Sequence, residues 1–425
     1  MNAKRLPCAS CLLFLSFVMG LAAASAPARA QETAPSQGNE ASRQTTDAVA
    51  ESGPENKPAE QSAIQVENWS QPQSGWLYVL DPKPGDAAGR IWLIDPHSGK
   101  VMGTVRTSAS PDFALSPDGS RLYVASSTGN DSNELAVIDT AQGMILKSGA
   151  VFGRAAYDGL PPFSTMAVSG DGLALRLLID APKSEDHDAF LLATFDTRAG
   201  EFLPGIVHLG NCGPGRFISY PAANHFDFLC PRTNRVRLIR VDADSREVQN
   251  HDVELPWERR IGVAEAFESP DSAAMMIVLG NGAVAAMSVA TQQFAGTPVH
   301  PGLPNRVPPA VWPTSPDGSR VYLGYNRDYD KADNRFYLDY GRPPNSRPPS
   351  DLAGEFRVYD TNTWAKVGTI RTKMLFWNAV LSTDGNTLYA TAPHKHGILV
   401  IDTAKRHQTG VLKVGGAPAL VLVAP

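Results

Sequence analysis

Apolar and polar positions alternate in short runs along most of this chain, and the runs recur. The string "SPDGSRLYVAS" at Ser116–Ser126 returns as "SPDGSRVYLGY" at Ser315–Tyr325. Fainter copies are "VSGDGLALRLLI" from Val168 and "LSTDGNTLYATA" from Leu381, with "YPAANHFDFLC" from Tyr220 and "ESPDSAAMMIVLG" from Glu268 fainter still. Pro presets φ for a β-turn, Asp hydrogen-bonds its own backbone, and Gly tolerates positive φ. The residues that follow are β-branched, aromatic or alternating, so each copy predicts a tight turn and then a half-buried strand. Helical periodicity is almost absent.

A second phrase follows each first one: a strand, an Asp, a short turn and another strand. It runs from "IWLIDPHSGKVMGTV" at Ile91 to "ILVIDTAKRHQTGVL" at Ile398. The recurring position is Asp95, Asp139, Asp196, Asp242, Ala290, Asp360 and Asp402, about 51 residues apart on average. Four strands per unit, repeated seven times, predict an all-β fold: a seven-bladed β-propeller with four-stranded blades. The first blade lacks its own innermost strand, because "GWLYVLD" at Gly75 already reads as a second strand. "APALVLVAP" from Ala417 has the missing register, so the C-terminal strand is expected to complete blade one and leave no open edge.

This topology separates two sets of connections. With strands A to D running outward in each blade, A–B and C–D turns share one end and B–C and D–A loops the other. The first set is short; the second is long and irregular, and long loops on a rigid scaffold are where binding usually resides. The long-loop end carries Tyr157, Phe163, Arg216, Trp257, Arg259, Arg306, Tyr329 and Trp377. Aromatic and Arg side chains are the usual anchors of protein interfaces, and these are the candidate partner-binding residues. The other reading of any one of them is packing of a loop against its blade.

The ends change the picture. Lys4 and Arg5, the apolar run Leu12–Ala24 and Ala28-Arg29-Ala30 before Gln31 form a secretory signal peptide over residues 1–30. Residues 31–73, rich in Gln, Glu, Ser, Ala and Pro, read as a flexible N-terminal arm, leaving 74–425 for the propeller. Cleavage removes Lys4, Arg5 and Arg29 from the 38 basic residues and none of the 43 acidic ones, so the exported chain is more negative than the formal −5. That charge argues against nucleic acid as a partner. No later stretch is apolar enough for a membrane span. Of the four cysteines only Cys212 and Cys230 survive cleavage. In an oxidising compartment the pair reads as one disulfide, two buried thiols being the alternative.

Catalytic signals are thin. The acidic loop from Asp328 lacks the central Gly and final Glu of a calcium loop, and His394 and His396 have no evident third ligand. An Asp that recurs from blade to blade, as Asp139, Asp196, Asp360 and Asp402 do, is structural, since catalysis needs it once. No metal and no catalytic residue is assigned to this chain.

The chain also resembles the heavy (large, β) subunit of the quinoprotein amine dehydrogenases, the methylamine and aromatic amine enzymes. The resemblance rests on "WLYVLDP" at Trp76, "YDGLPPFSTMAVSGDG" from Tyr157, the Cys212…Cys230 pair around "ISYPAANHFDF", and "NRVPPAVWPTSPDGSRVYLGY" with the later "FRVYDTNTWAKVG". It implies a periplasmic seven-bladed propeller that carries no cofactor. The propeller would position a small light subunit holding tryptophan tryptophylquinone, in a heterotetramer that oxidises primary amines and passes electrons to a copper protein or cytochrome. Two B–C loops are shorter than the family's: "PKPGDAAG" (Pro82–Gly89) and "STGNDSNE" (Ser127–Glu134). The "SPDG" and "VIDT" phrases also occur in non-enzymatic YVTN-type periplasmic propellers, which give the alternative reading, a binding scaffold.

Overall fold

The computed structural model describes residues 62–425 except 83–87, 130–131, 153, 156–165, 181–188, 205–206, 212–215, 221–224, 232–234, 243–247, 255–262, 270–272, 280–281, 303–310 and 327–353. Glu60–Pro425 forms one compact unit. The expected signal peptide over residues 1–30 and residues 31–61 of the expected arm lie outside the described residues.

The described chain is nearly all β, in four-stranded antiparallel sheets consistent with a propeller; its one helical element is a 3-10 turn at Pro393–Lys395. The first sheet runs Leu420–Val423, Leu77–Asp81, Arg90–Asp95, Lys100–Arg106 and Gln65–Glu67. The second runs Ala109–Leu115, Arg121–Gly129, Ser132–Asp139, Met144–Phe152. In the third, Met166–Val168, Ala174–Asp180 and Ala189–Asp196 are followed by two short pieces, Glu201–Phe202 and Val207–Asn211. The fourth is Arg216–Tyr220, His225–Pro231, Arg235–Asp242, Val248–Glu254, and the fifth is Val263–Glu268, Ala274–Leu279, Val284–Ser288, Phe294–Val299. The last sheet joins two antiparallel sets through one parallel bridge, Arg371 to His407. One set is Arg320–Asn326, Gly354–Asp360, Lys366–Arg371, and the other is Ala379–Leu381, Thr387–Ala392, Gly397–Asp402, His407–Lys413.

The pleat explains why second strands are apolar on both faces. Successive side chains point to opposite sides of a sheet. Tyr78 and Leu80 enter a core with Leu122 and Val124 of the second sheet, whereas Leu77 and Val79 enter another with Tyr389 and Ile398 of the last. Met275, Ile277 and Leu279 face the fourth sheet, and Met276 and Val278 face Val321 and Leu323. Each strand therefore feeds two cores, and burial of one such side chain contributes about 1.5–3 kcal/mol.

The C-terminal strand pairs antiparallel with Leu77–Asp81, with Leu80 opposite Leu420 and Leu77 opposite Val423. The predicted arm boundary at 73 is too late. Gln65–Glu67 adds a fifth strand along Thr104–Arg106, and Ile64 is buried. Trp69 reaches across to the second sheet, donating its indole N–H to the Thr140 carbonyl at 2.8 Å. Ile64 and Trp69 supply the apolar surface that a composition-based reading of the segment undervalued. The expected loop at Ser127–Glu134 is also corrected. The two strands extend into it, one to Gly129 and the other from Ser132, pairing Ser127 with Asn133 and Ser126 with Glu134, because polar residues satisfy an antiparallel ladder as well as apolar ones.

Candidate functional site

The short-turn end is knitted together by the repeats. In each SPDG-like turn the Ser does two jobs. Its hydroxyl donates to the turn Asp, as Ser116 to Asp118 and Ser382 to Asp384 at 2.6 Å each, and it accepts from the second strand's first amide, as Arg121 N–H and Thr387 N–H at 2.9 Å. Ser169 and Ser315 repeat this. Where a Thr follows the recurring Asp, as it does after Asp139, Asp196, Asp360 and Asp402, it ties the C–D turn to the A–B turn. Thr140, Thr197, Thr361 and Thr403 donate to the carbonyls of Gly119, Gly172, Gly318 and Gly385 at 2.5–2.9 Å. The sequence reading credited Pro, Asp and Gly; the Ser and Thr it passed over recur at equally fixed positions.

The acids are spent in these turns. Hydroxyl and amide donors hold Asp317 and Asp384 down at about 2, the Ser315 and Ser382 hydroxyls being the largest cause in each. Asp95, Asp118, Asp360 and Asp402 are also lowered, by Ser98, Ser116, Thr363 and the Lys405 amide first. An exposed carboxylate held this firmly ionised is a poor general acid or base near neutral pH.

The opposite strand ends hold the candidate site. Within the last sheet and the start of the first, polar groups there are bound to the chain's own backbone. Asn326 clasps Phe376, donating to its carbonyl at 2.9 Å and accepting its amide at 3.2 Å. Asn378 accepts the Val421 amide at 3.0 Å, and the Thr391 hydroxyl donates to Ala419 at 3.2 Å, so both hold the C-terminal strand. Asp81, 1% exposed, accepts the Ala417 amide at 3.2 Å, and an added Cβ on Gly416 would strike its carboxylate at 2.2 Å. His396, at φ 52 after the 3-10 turn, places Nδ1 2.8 Å from the Gly416 carbonyl.

Of the sequence-predicted residues, Trp377 is the one whose side chain is described. It is 6% exposed, with its ring 6.4 Å from that of His394, so it packs the loop against its sheet, which is the alternative considered for each of these anchors. Burial, with His396 and Lys395 nearby, lowers the His394 pKa, which keeps the imidazole neutral at neutral pH. Arg216 begins the fourth sheet opposite Leu229, and Cys230 lies in the next strand opposite Arg237. Tyr157, Phe163, Trp257, Arg259, Arg306, Tyr329, Cys212 and the loop from Asp328 lie outside the described residues. Among the described residues no three His, Cys, Asp or Glu gather as a metal site, and no helix is long and apolar enough to cross a membrane.

Sequence pattern did not reveal the buried ion pair Arg240–Asp227. The guanidinium donates twice to Asp227, at 2.7 and 2.8 Å, and once to the Val289 carbonyl of the fifth sheet at 2.6 Å. An Arg and an Asp on adjacent strands with apolar neighbours was the available signal.

The sequence matches no family model and no curated protein. Among solved structures, a functionally unknown protein from Desulfotomaculum acetoxidans is similar with a TM-score of 0.58 at 12% identity, covering 83% of this chain and 99% of that one. A putative 6-phosphogluconolactonase from Bacteroides fragilis is similar with a TM-score of 0.52 at 13% identity, covering 83% and 98%. At such identities the likeness concerns the propeller-like all-β fold alone.

Proposed function

We propose that this chain is an exported, periplasmic seven-bladed propeller, closed by its C-terminal strand, whose long-loop end positions a small partner protein. Ring closure is supported by the ladder between Leu77–Asp81 and Leu420–Val423 and by the core that Tyr389 and Ile398 share with Leu77, Val79 and Val421. The observation that carries the functional reading is the state of the short-turn end. Serine hydroxyls engage the acids of the short-turn end within their own turns, which leaves recognition to the B–C and D–A loops.

The partner of choice is the quinone-bearing light subunit of an amine dehydrogenase, on the strength of the sequence resemblance. In that role the chain orients its partner and helps wall the approach to it, and the tryptophan tryptophylquinone stays in the partner. The YVTN-type reading, a scaffold for another exported protein, is favoured by the two short B–C loops. Isolation from periplasm with a quinone stain separates them. Co-purification of a small quinone-positive chain with amine oxidation supports the first. A protein that emerges alone and inert toward methylamine and aromatic amines removes it. Non-reducing peptide mapping decides the Cys212–Cys230 bond; two free thiols would exclude it.

A further inference from the structure

The outer strand of the second sheet, Met144–Phe152, is a sheet edge without the usual protection. Among the described residues it pairs on one side only, with Ser132–Asp139. Natural proteins shield such edges with short strands, charges, Pro or a covering segment. The other outer strands here follow that rule. Lys100–Arg106 is covered by Gln65–Glu67, Phe294–Val299 contains Pro298, and Val248–Glu254 carries Asp252 and Glu254. Lys366–Arg371 is charged at both ends, His407–Lys413 ends in Lys413 and is bridged to Lys366–Arg371 through His407 and Arg371, and the third sheet ends in pieces of 2 and 5 residues. Met144–Phe152, "MILKSGAVF", is 9 residues long with Lys147 as its single charge, and Met144 and Leu146 are 51% and 45% exposed.

The edge borders a groove of about 120 Å³ against the third sheet, floored by Leu135, Val137, Phe195 and Phe202 and flanked by Lys147 and Glu201. A Cβ added to Gly149 would meet nothing within 4 Å, so the strand has a gap there.

We propose that this strand is a homodimer interface, two copies pairing antiparallel about Ser148. That register sets Lys147 of one copy opposite Gly149 of the other and Leu146 opposite Ala150. Residues facing across an antiparallel pair share a face. Both grooves therefore open on the same side; the Lys147 stem, which in one copy lies along its own Gly200, swings in the pair over the other copy's gap at Gly149, and its ammonium approaches the other copy's Glu201. One cation and one carboxylate flanking an apolar gap are complementary to themselves under a two-fold, which is why a second copy, rather than an unrelated peptide, is the occupant. The inference does not depend on the light-subunit reading.

The test is sedimentation of the full exported chain and three variants, with far-UV circular dichroism and melting as folding controls. Wild type is expected as a concentration-dependent dimer. Lys147→Glu sets carboxylates against Glu201 and is expected to raise the dimer dissociation constant about tenfold or more. Glu201→Lys alone does the same, and K147E/E201K restores the dimer. A wild type that stays monomeric, a dimer indifferent to Lys147→Glu, or a double variant that fails to regain it overturns the proposal. So does a monomer that instead binds extended peptides at this edge.

Discussion

Pro425, the last residue, lies against Gly119 in the first turn of the second sheet, where a Cβ on the glycine would sit 2.6 Å from the proline Cγ. Two internal copies repeat the contact. Pro117 faces Gly172 at 3.6 Å and Pro316 faces Gly385 at 2.9 Å. The chain end thus supplies the proline that the first sheet's missing turn would have carried, and the C-terminal strand docks at its tip as well as along its ladder.

Gly119→Ala is expected to cost about 2–4 kcal/mol, combining left-handed strain at φ 69 with overpacking against Pro425. Gly75→Ala, at φ 85 with open space around it, carries the strain alone and should cost about 1–2 kcal/mol. Urea unfolding of the pair isolates the contact. Equal losses would mean that the proline yields without cost.

Trp69 seals the N-terminal strap, the segment from Ser62 to Trp69, to two sheets. Its ring lies 6.2 Å from that of Tyr78, and an added Cβ on Gly103 or Gly143 would come 2.7 or 2.2 Å from it. Trp69→Ala is expected to lower stability by about 2–3 kcal/mol, somewhat under a full core truncation because the ring is half-buried. Hydrogen exchange should show the loss first at Gln65–Glu67 and its partners Thr104–Arg106. A melting curve unchanged by the substitution would remove the strap from the stability of the fold.

The turn carboxylates set an acid limit. Asp317 and Asp384 titrate at about 2, below the ~3.9 of an unfolded Asp, so the unfolded chain takes up their protons first. Their stabilisation is complete above pH ~4 and drains away as pH falls toward 2. Ser382→Ala removes the largest cause at Asp384, raises its pKa and should flatten stability over that window. Denaturant titrations at pH 5, 4, 3 and 2 read this out. Parallel curves for wild type and variant would show that the hydroxyl is not the cause.

The Arg240–Asp227 pair connects the fourth and fifth sheets inside the protein, with side chains 12% and 0% exposed. Asp227→Ala strands the guanidinium and is expected to cost about 3–5 kcal/mol. Replacing both residues with leucine should cost less than that single change, because no buried charge is left behind. A double variant less stable than Asp227→Ala would show that the pair contributes a net gain.

Much of the fold was legible because its signals are local and repeated. The turn strings marked A–B hairpins wherever Gly119, Gly172, Gly318 and Gly385 now stand at positive φ. The recurring Asp residues were read as structural, and Asp95, Asp139, Asp196, Asp360 and Asp402 each accept backbone amides of their turns. The candidate site was less legible. Trp377 stood as a candidate anchor with loop packing as its alternative, because aromatic composition is blind to burial; the ring is buried beside His394. The strap from Ser62 was read as arm because two apolar residues, Ile64 and Trp69, carry it among many polar ones.

What the amino-acid order determined by itself is the repeat: turn chemistry acts over four or five residues, and alternation acts along one strand, so both are written in the string. What only the tertiary structure decided is which distant groups meet. Pro425 on Gly119, Trp69 against Gly103 and Gly143, and Arg240 on Asp227 and Val289 depend on how whole sheets lie side by side. Non-local contact of that kind leaves no periodic trace in sequence, because each partner need only suit a neighbour brought to it by the packing of the sheets.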